Sequence, residues 1–180
     1  SADIEIRFRH PRSNARCRLD WAVPNDKMPD AQRLMERAVN DGTKIFIIQS
    51  ADEWSEFIAV NSKAVFKDKF FVGTNWLGGV MFNKPHDIFK ELPVGNALNW
   101  PYQALIHTGV ERMGLVMEGE ELLVGAYHTY PMAIGTAMGI VPMGKGSVLF
   151  STLDIYGNII NDSAAGLVAK KLIFNMIDFK

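Results

Sequence analysis

Residues 24–50 read PNDKMPDAQRLMERAVNDGTKIFIIQS, and their punctuation decides the fold class. Leu34, Met35 and Ala38 recur at helical spacing, so they form the buried stripe of an amphipathic helix. Asp30 stands at the head of that run as an N-cap, its carboxylate accepting from the free N–H groups of a first turn. Gly42 ends the helix, because glycine takes the left-handed conformation of a C-terminal cap at no steric cost. KIFIIQS follows at once, a short apolar run of the kind buried in a parallel sheet. Helix, glycine and strand in immediate succession predict an α/β layer domain.

Upstream, IEIRFRH alternates apolar and charged residues as a half-exposed strand does, and RCRLDWAV reads as another extended piece. Downstream, ADEWSEFIAV predicts a second helix capped by Ser50 or Asp52. KFFVGT and LGGVMF are strand-like, with glycines at bends or close backbone approaches. PHDIFKELP predicts a short helical turn between prolines, with His86 as its cap. ALNWPYQALIHTG, ELLVGAYHTY, PMAIGTAMGIV and GSVLFSTLDI read as a run of strands. The last firm helix is NDSAAGLVAKKLIFNMIDF, capped by Asp162, with Ala165, Val168, Leu172, Met176 and Phe179 on one face. The expectation is one α/β domain over residues 1–180, with a mostly parallel sheet and an additional antiparallel portion in its second half.

Residues 139–147, GIVPMGKGS, complete the pattern G-x-x-x-x-G-K of a phosphate-binding loop. That loop needs Ser or Thr directly after the lysine to hold magnesium, and a helix behind it. Gly146 stands in the hydroxyl position, and the β-branched run VLFSTLDI follows. Two strand-like runs joined by Gly-Lys-Gly predict a hairpin turn instead.

The 180 residues suit one domain with a real core, and 48% apolar with 22% charged residues is ordinary globular composition. A net charge of -1 lacks the basic excess of a nucleic-acid surface. No segment approaches the ~20 apolar residues of a membrane helix. The chain opens on Ser1-Ala2 rather than Met, which reads as a junction, so a longer polypeptide is expected. The single cysteine, Cys17, makes no internal disulfide.

A nucleophile is sought at the strand-to-helix junction FIIQSADEW. A nucleophile elbow needs glycines two residues either side of the serine, and Ile48 and Asp52 hold those positions, so Ser50 reads as a helix cap. Cys17 lies between Arg16 and Arg18, which favour a thiolate, but no glycine-rich turn surrounds it. His10, His86, His107 and His128 show no metal-ligand spacing. Asp154 and Asp162 flank the last loop, and Glu118, Glu120 and Glu121 form a solvated turn; neither group makes the carboxylate pair of sugar hydrolysis. Trp76, Trp100, Tyr102, Tyr127 and Tyr130 fall in or beside loops, where rings stack on sugar faces or fill interfaces. The candidate carbohydrate-binding residues are therefore Asn99, Trp100, Tyr102 and His128, the last also fitting a partly exposed strand position. No catalytic residue, metal site or cofactor is assigned.

The segments PHDIFKELPVGNALNWPYQ, YPMAIGTAMGIVPMGKGSVLFSTLDI and NDSAAGLVAKKLIFNMIDF, in that order, resemble the tail domain of some bacterial family 2 glycoside hydrolases, the β-galactosidase and β-glucuronidase relatives. Pro85-His86 is reversed from the usual order, while Phe89, Leu92, Pro93, Gly144-Lys145-Gly146, Thr152-Leu153-Asp154 and Asn175 are kept. The resemblance spans roughly residues 28–178 and implies a class I glutamine amidotransferase-like, flavodoxin-type scaffold. The elbow Cys and the His-x-Glu pair of active members are unmatched, so it implies a non-catalytic accessory domain. It further implies an upstream catalytic domain of the same polypeptide, carbohydrate or further copies of the chain as partners, and a periplasmic or extracellular setting. The rival readings are a stand-alone hydrolase using Cys17 or Ser50, and a small-ligand binding module.

Overall fold

The computed structural model describes residues 4–6, 29–72, 79–95, 97–98, 101–107, 113–130, 132–160 and 162–179. Helix α1 spans Pro29–Asp41. Pro29 occupies its first position, where a missing N–H costs nothing, so Asp30 lies inside the helix rather than capping it. Leu34, Met35 and Ala38 are buried as their spacing predicts. Gly42 terminates the helix at φ 77°, and strand β2, Lys44–Ile47, begins two residues later. Helix α2 follows at Ala51–Val60.

The strands gather into one eight-stranded sheet. Strand β1, Ile4–Ile6, and β2 are parallel, and β2 runs parallel to β8, Gly146–Ser151. Among the described residues every other strand pairing is antiparallel. Strand β3, Val65–Phe71, pairs with β5, Met113–Glu118, and β4, Gly79–Asn83, pairs with β6, Glu121–His128. Strand β7, Ala133–Met143, pairs with β6 and β8 and meets β5 at Leu115 opposite Thr136. The antiparallel portion expected in the second half is present, but it makes up most of the sheet, which corrects the mostly parallel expectation. The parallel portion is confined to β1, β2 and β8, because the second half of the chain links neighbouring strands by short reversals rather than helical crossovers.

GIVPMGKGS is the reversal from β7 to β8. Met143 pairs with Gly146 across the two-residue turn, with Gly144 at φ 58°, the positive-first pattern of a type II′ hairpin. The turn docks on the end of α1, where the Lys145 amide donates to the Val39 carbonyl at 3.0 Å. A β-carbon on Gly144 would overlap the Val39 carbonyl, and one on Gly146 the Thr43 carbonyl. Both glycines serve backbone approach and not phosphate binding.

Alternate β2 residues point to opposite faces, and each face has its own core. Ile45 and Ile47 join Leu34, Met35, Phe57, Ile58, Leu115, Val148 and Phe150 beneath α1 and α2. Phe46 and Ile48 join Met81, Leu123, Met138, Leu149, Leu172 and Met176 on the other side. That second core is roofed by three helices: α3 at Gln103–His107, α4 at Ile155–Ile159 and α5 at Ala164–Asp178.

One segment read as extended, ALNWPYQALIHTG, contains α3. After β8 the chain turns into α4, whose N-cap is Asp154, accepting from the Gly157 amide at 2.9 Å. The cap of α5 is Ser163, not Asp162, its hydroxyl accepting from the Gly166 amide at 3.3 Å. Asp162 instead pairs with Lys170 at 3.3 Å. The expected turn in PHDIFKELP forms at Asp87–Phe89, and His86 caps it. Buried Asn175 of α5 clamps that turn from below, donating to the Ile88 and Lys90 carbonyls, each at 2.9 Å.

Candidate functional site

The carboxyl ends of β2 and β8 are where this topology exposes chemistry. The chain leaves β2 for α2 on one face and β8 for α4 and α5 on the other, the divergence that opens ligand crevices in α/β sheets. Ser50 stands at that junction with φ 54° and ψ 35°, a left-handed conformation, and makes no side-chain capping bond. Ser50 therefore holds the N-cap position expected of it, while the side-chain bond of a cap is absent and Asp52 lies inside the helix. The geometry leaves its hydroxyl outside the hydrogen bonding of α2, and the backbone holds strain that a non-glycine residue rarely carries. Beside it, Gln49 Oε1 is buried without a hydrogen-bond partner. Asp52 accepts from Lys69 at 2.9 Å, and that bond raises the Lys69 ammonium above its ordinary range. Across the junction Asp154 is occupied as the cap of α4, and Ser151 Oγ accepts from the Leu153 amide at 3.2 Å.

A serine nucleophile needs a base. His86 sits near the other end of β2, against Phe179, whose carbonyl accepts from Lys44. His128 ends β6 with its Nδ1 at 3.0 Å from the Phe71 carbonyl. His10 and Cys17 lie outside the described residues, as does the His107 side chain.

Of the four candidate sugar contacts, the structure describes Tyr102 and His128. Asn99 and Trp100 lie outside the described residues, as does Trp76. Tyr102 is 2% exposed. Its hydroxyl donates to the Pro93 carbonyl at 2.7 Å and accepts from Asn83 Nδ2 at 3.3 Å, and its ring meets Phe89 edge-on. Burial pushes its phenol up to about 12. A ring enclosed in this way offers no face to a sugar, which corrects the reading of Tyr102 as a platform. The expected solvated turn forms between β5 and β6, with Glu118 pairing with Lys67, Glu120 accepting from the Thr136 hydroxyl and Glu121 pairing with Lys84. Among the described residues no group of three or more His, Cys, Asp or Glu is arranged to hold a metal ion.

What the sequence reading missed is an apolar sheet face. Val80, Tyr127 and Ile134 stand opposite one another across β4, β6 and β7. In the next row Phe82 lays its ring over Gly125, where a β-carbon would collide with it. Val80 is 36% exposed, Phe82 40% and Ile134 66%. The signal was present in GVMFN, whose Val and Phe alternate outward while Met81 and Asn83 turn in. Its apolar residues fall at both parities, so the strand reading did not tell which face is exposed, and among the described residues no helix covers the outward one.

No family model matches the chain, and no curated protein does. Among solved structures it is similar to a cold-adapted β-galactosidase from Rahnella sp. R3, with TM-score 0.43 and 12% identity over 84% of this chain. It is also similar to the β-galactosidase from Bacillus circulans sp. alkalophilus, with TM-score 0.45 and 12% identity over 84% of this chain. The chain spans 20% of each of them.

Proposed function

We propose that this chain is a non-catalytic accessory domain of a family 2 glycoside hydrolase, and that its contribution is a packing surface. The observation that supports this reading is the apolar row of Val80, Tyr127 and Ile134, with Phe82 beside it in the next row, which no described helix covers. Apolar side chains aligned across three strands gain free energy when a partner removes them from water. The partner in this reading is the catalytic domain of the same polypeptide or a further copy of it, and carbohydrate at Asn99, Trp100 and His128 is the lesser role.

The test is a deletion in the parent enzyme. An enzyme lacking residues 1–180 keeps its turnover number on a saturating nitrophenyl glycoside but loses assembly or thermal stability. Glycoside cleavage by the isolated chain would overturn the proposal.

A second reading rests on Ser50, whose left-handed backbone at a strand-to-helix junction suits an exposed nucleophile. A serine-reactive fluorophosphonate decides it. Labelling that vanishes in Ser50→Ala supports a hydrolase, and absence of labelling in the native chain removes the idea.

A further inference from the structure

His86 makes one hydrogen bond whose chemistry depends on its charge. Its Nδ1 accepts from the Ile88 amide at 3.2 Å, which only an unprotonated nitrogen can do. The turn so capped, Asp87–Phe89, inserts Ile88 and Phe89 into the core at 0% and 2% exposure. Its other restraints are the Asn175 clamp and backbone bonds from the Phe89 and Lys90 amides. The His86 ring also lies 4.9 Å from the Phe179 ring, which carries Lys44 Nζ 4.5 Å from its centre. The cap therefore joins the turn to the chain that leaves α5.

We propose that His86 is an acid-released latch on the turn Asp87–Phe89 and on the Phe179 segment packed against it. Protonation turns Nδ1 from acceptor to donor, so the Ile88 amide loses its partner and faces an N–H instead. The charged groups around the imidazole decide whether anything compensates. Glu121 is 3.8 Å from Nε2 and would attract the cation, but it is half exposed and shared with Lys84 at 3.7 Å. Asp87 lies next in the chain, and Lys44, across the Phe179 ring, opposes a second cation. An exposed, shared carboxylate returns little, so loss of the cap governs the sign. Imidazole changes charge between about pH 5 and 8, which sets the interval to examine.

The experiment is amide hydrogen exchange over residues 86–92 from about pH 7.5 to about pH 5, corrected for intrinsic rates and referred to the β7–β8 hairpin. Local opening of the turn is expected to rise about tenfold on acidification, the scale of losing one cap. In His86→Asn, whose side-chain oxygen can accept the same bond without titrating, the rise is expected to stay under about twofold. Equal rises in both proteins, no rise in the native chain, or a turn that tightens in acid would each overturn the latch. Should His86→Asn fail to fold, the imidazole titration followed by NMR in the native chain replaces it. Opening whose midpoint departs from that titration rejects the proposal equally.

Discussion

Ser50 occupies a backbone conformation that glycine would adopt at no cost. A left-handed residue with a β-carbon is destabilised by roughly 1 kcal/mol, so Ser50→Gly is expected to stabilise the fold by about that amount. Urea unfolding checks it: the midpoint should rise with an unchanged slope, and a fall would mean the hydroxyl holds the junction in place. Tyr102 gives a pH test. Its folded-state pKa, raised by burial from 10.0 to about 12, favours the neutral phenol. The stabilisation is whole below pH 10 and disappears as pH rises toward 12, a span worth roughly 2–3 kcal/mol. Unfolding midpoints at about pH 8 and about pH 11 should therefore fall more steeply in the native chain than in Tyr102→Phe. At the lower pH that variant should lose about 1 kcal/mol with its hydroxyl, since Pro93 keeps its bond from Asn83. Neither feature was readable beforehand. A serine after a strand and before a helix has the same letters whether it caps or strains, and a tyrosine beside a proline looks like a loop residue until its neighbours are known.

At the scale of elements, the legible parts were those whose signal is local. The α1 stripe, the positive φ of Gly42 and the Gly-Lys-Gly hairpin follow from spacing and from what glycine permits. Helix α3 was missed because five residues, Gln103–His107, are too few to display a helical period. Its existence depends on Leu105 and Ile106 reaching a core that only the tertiary fold supplies. Asn175 shows the same dependence. On the helix face it looks like an interruption, yet at 8% exposure it holds two carbonyls of a turn more than eighty residues earlier. Asn175→Ala leaves the buried Ile88 carbonyl and the part-buried Lys90 carbonyl without that partner, so a loss of about 1–3 kcal/mol is expected. Thermal unfolding should register it, with exchange at Ile88 and Lys90 accelerating more than at the hairpin. A uniform acceleration would mean that α5 itself, and not the clamp, had been weakened.

Across the whole molecule, fold class and an antiparallel portion in the second half were legible, and how far that portion dominates the sheet was not. KIFI lies parallel to its neighbours as its apolar run predicts, but the strands of the second half carry the same apolar density while pairing antiparallel. Composition alone cannot separate a strand buried on both faces from one whose second face awaits a partner. The row Val80, Tyr127 and Ile134 is the place where that difference becomes a prediction. If the row is a packing surface, Ile134→Lys should abolish association of the chain with its partner or with itself. It should cost the monomer under about 1 kcal/mol, because a side chain 66% exposed buries little on folding. Sedimentation velocity over a concentration series, with parallel urea unfolding, measures both quantities. Association that persists in Ile134→Lys would assign the interface to another surface. An equal loss of association and stability would make the row part of the core, with Phe82 over Gly125 serving the sheet rather than a partner.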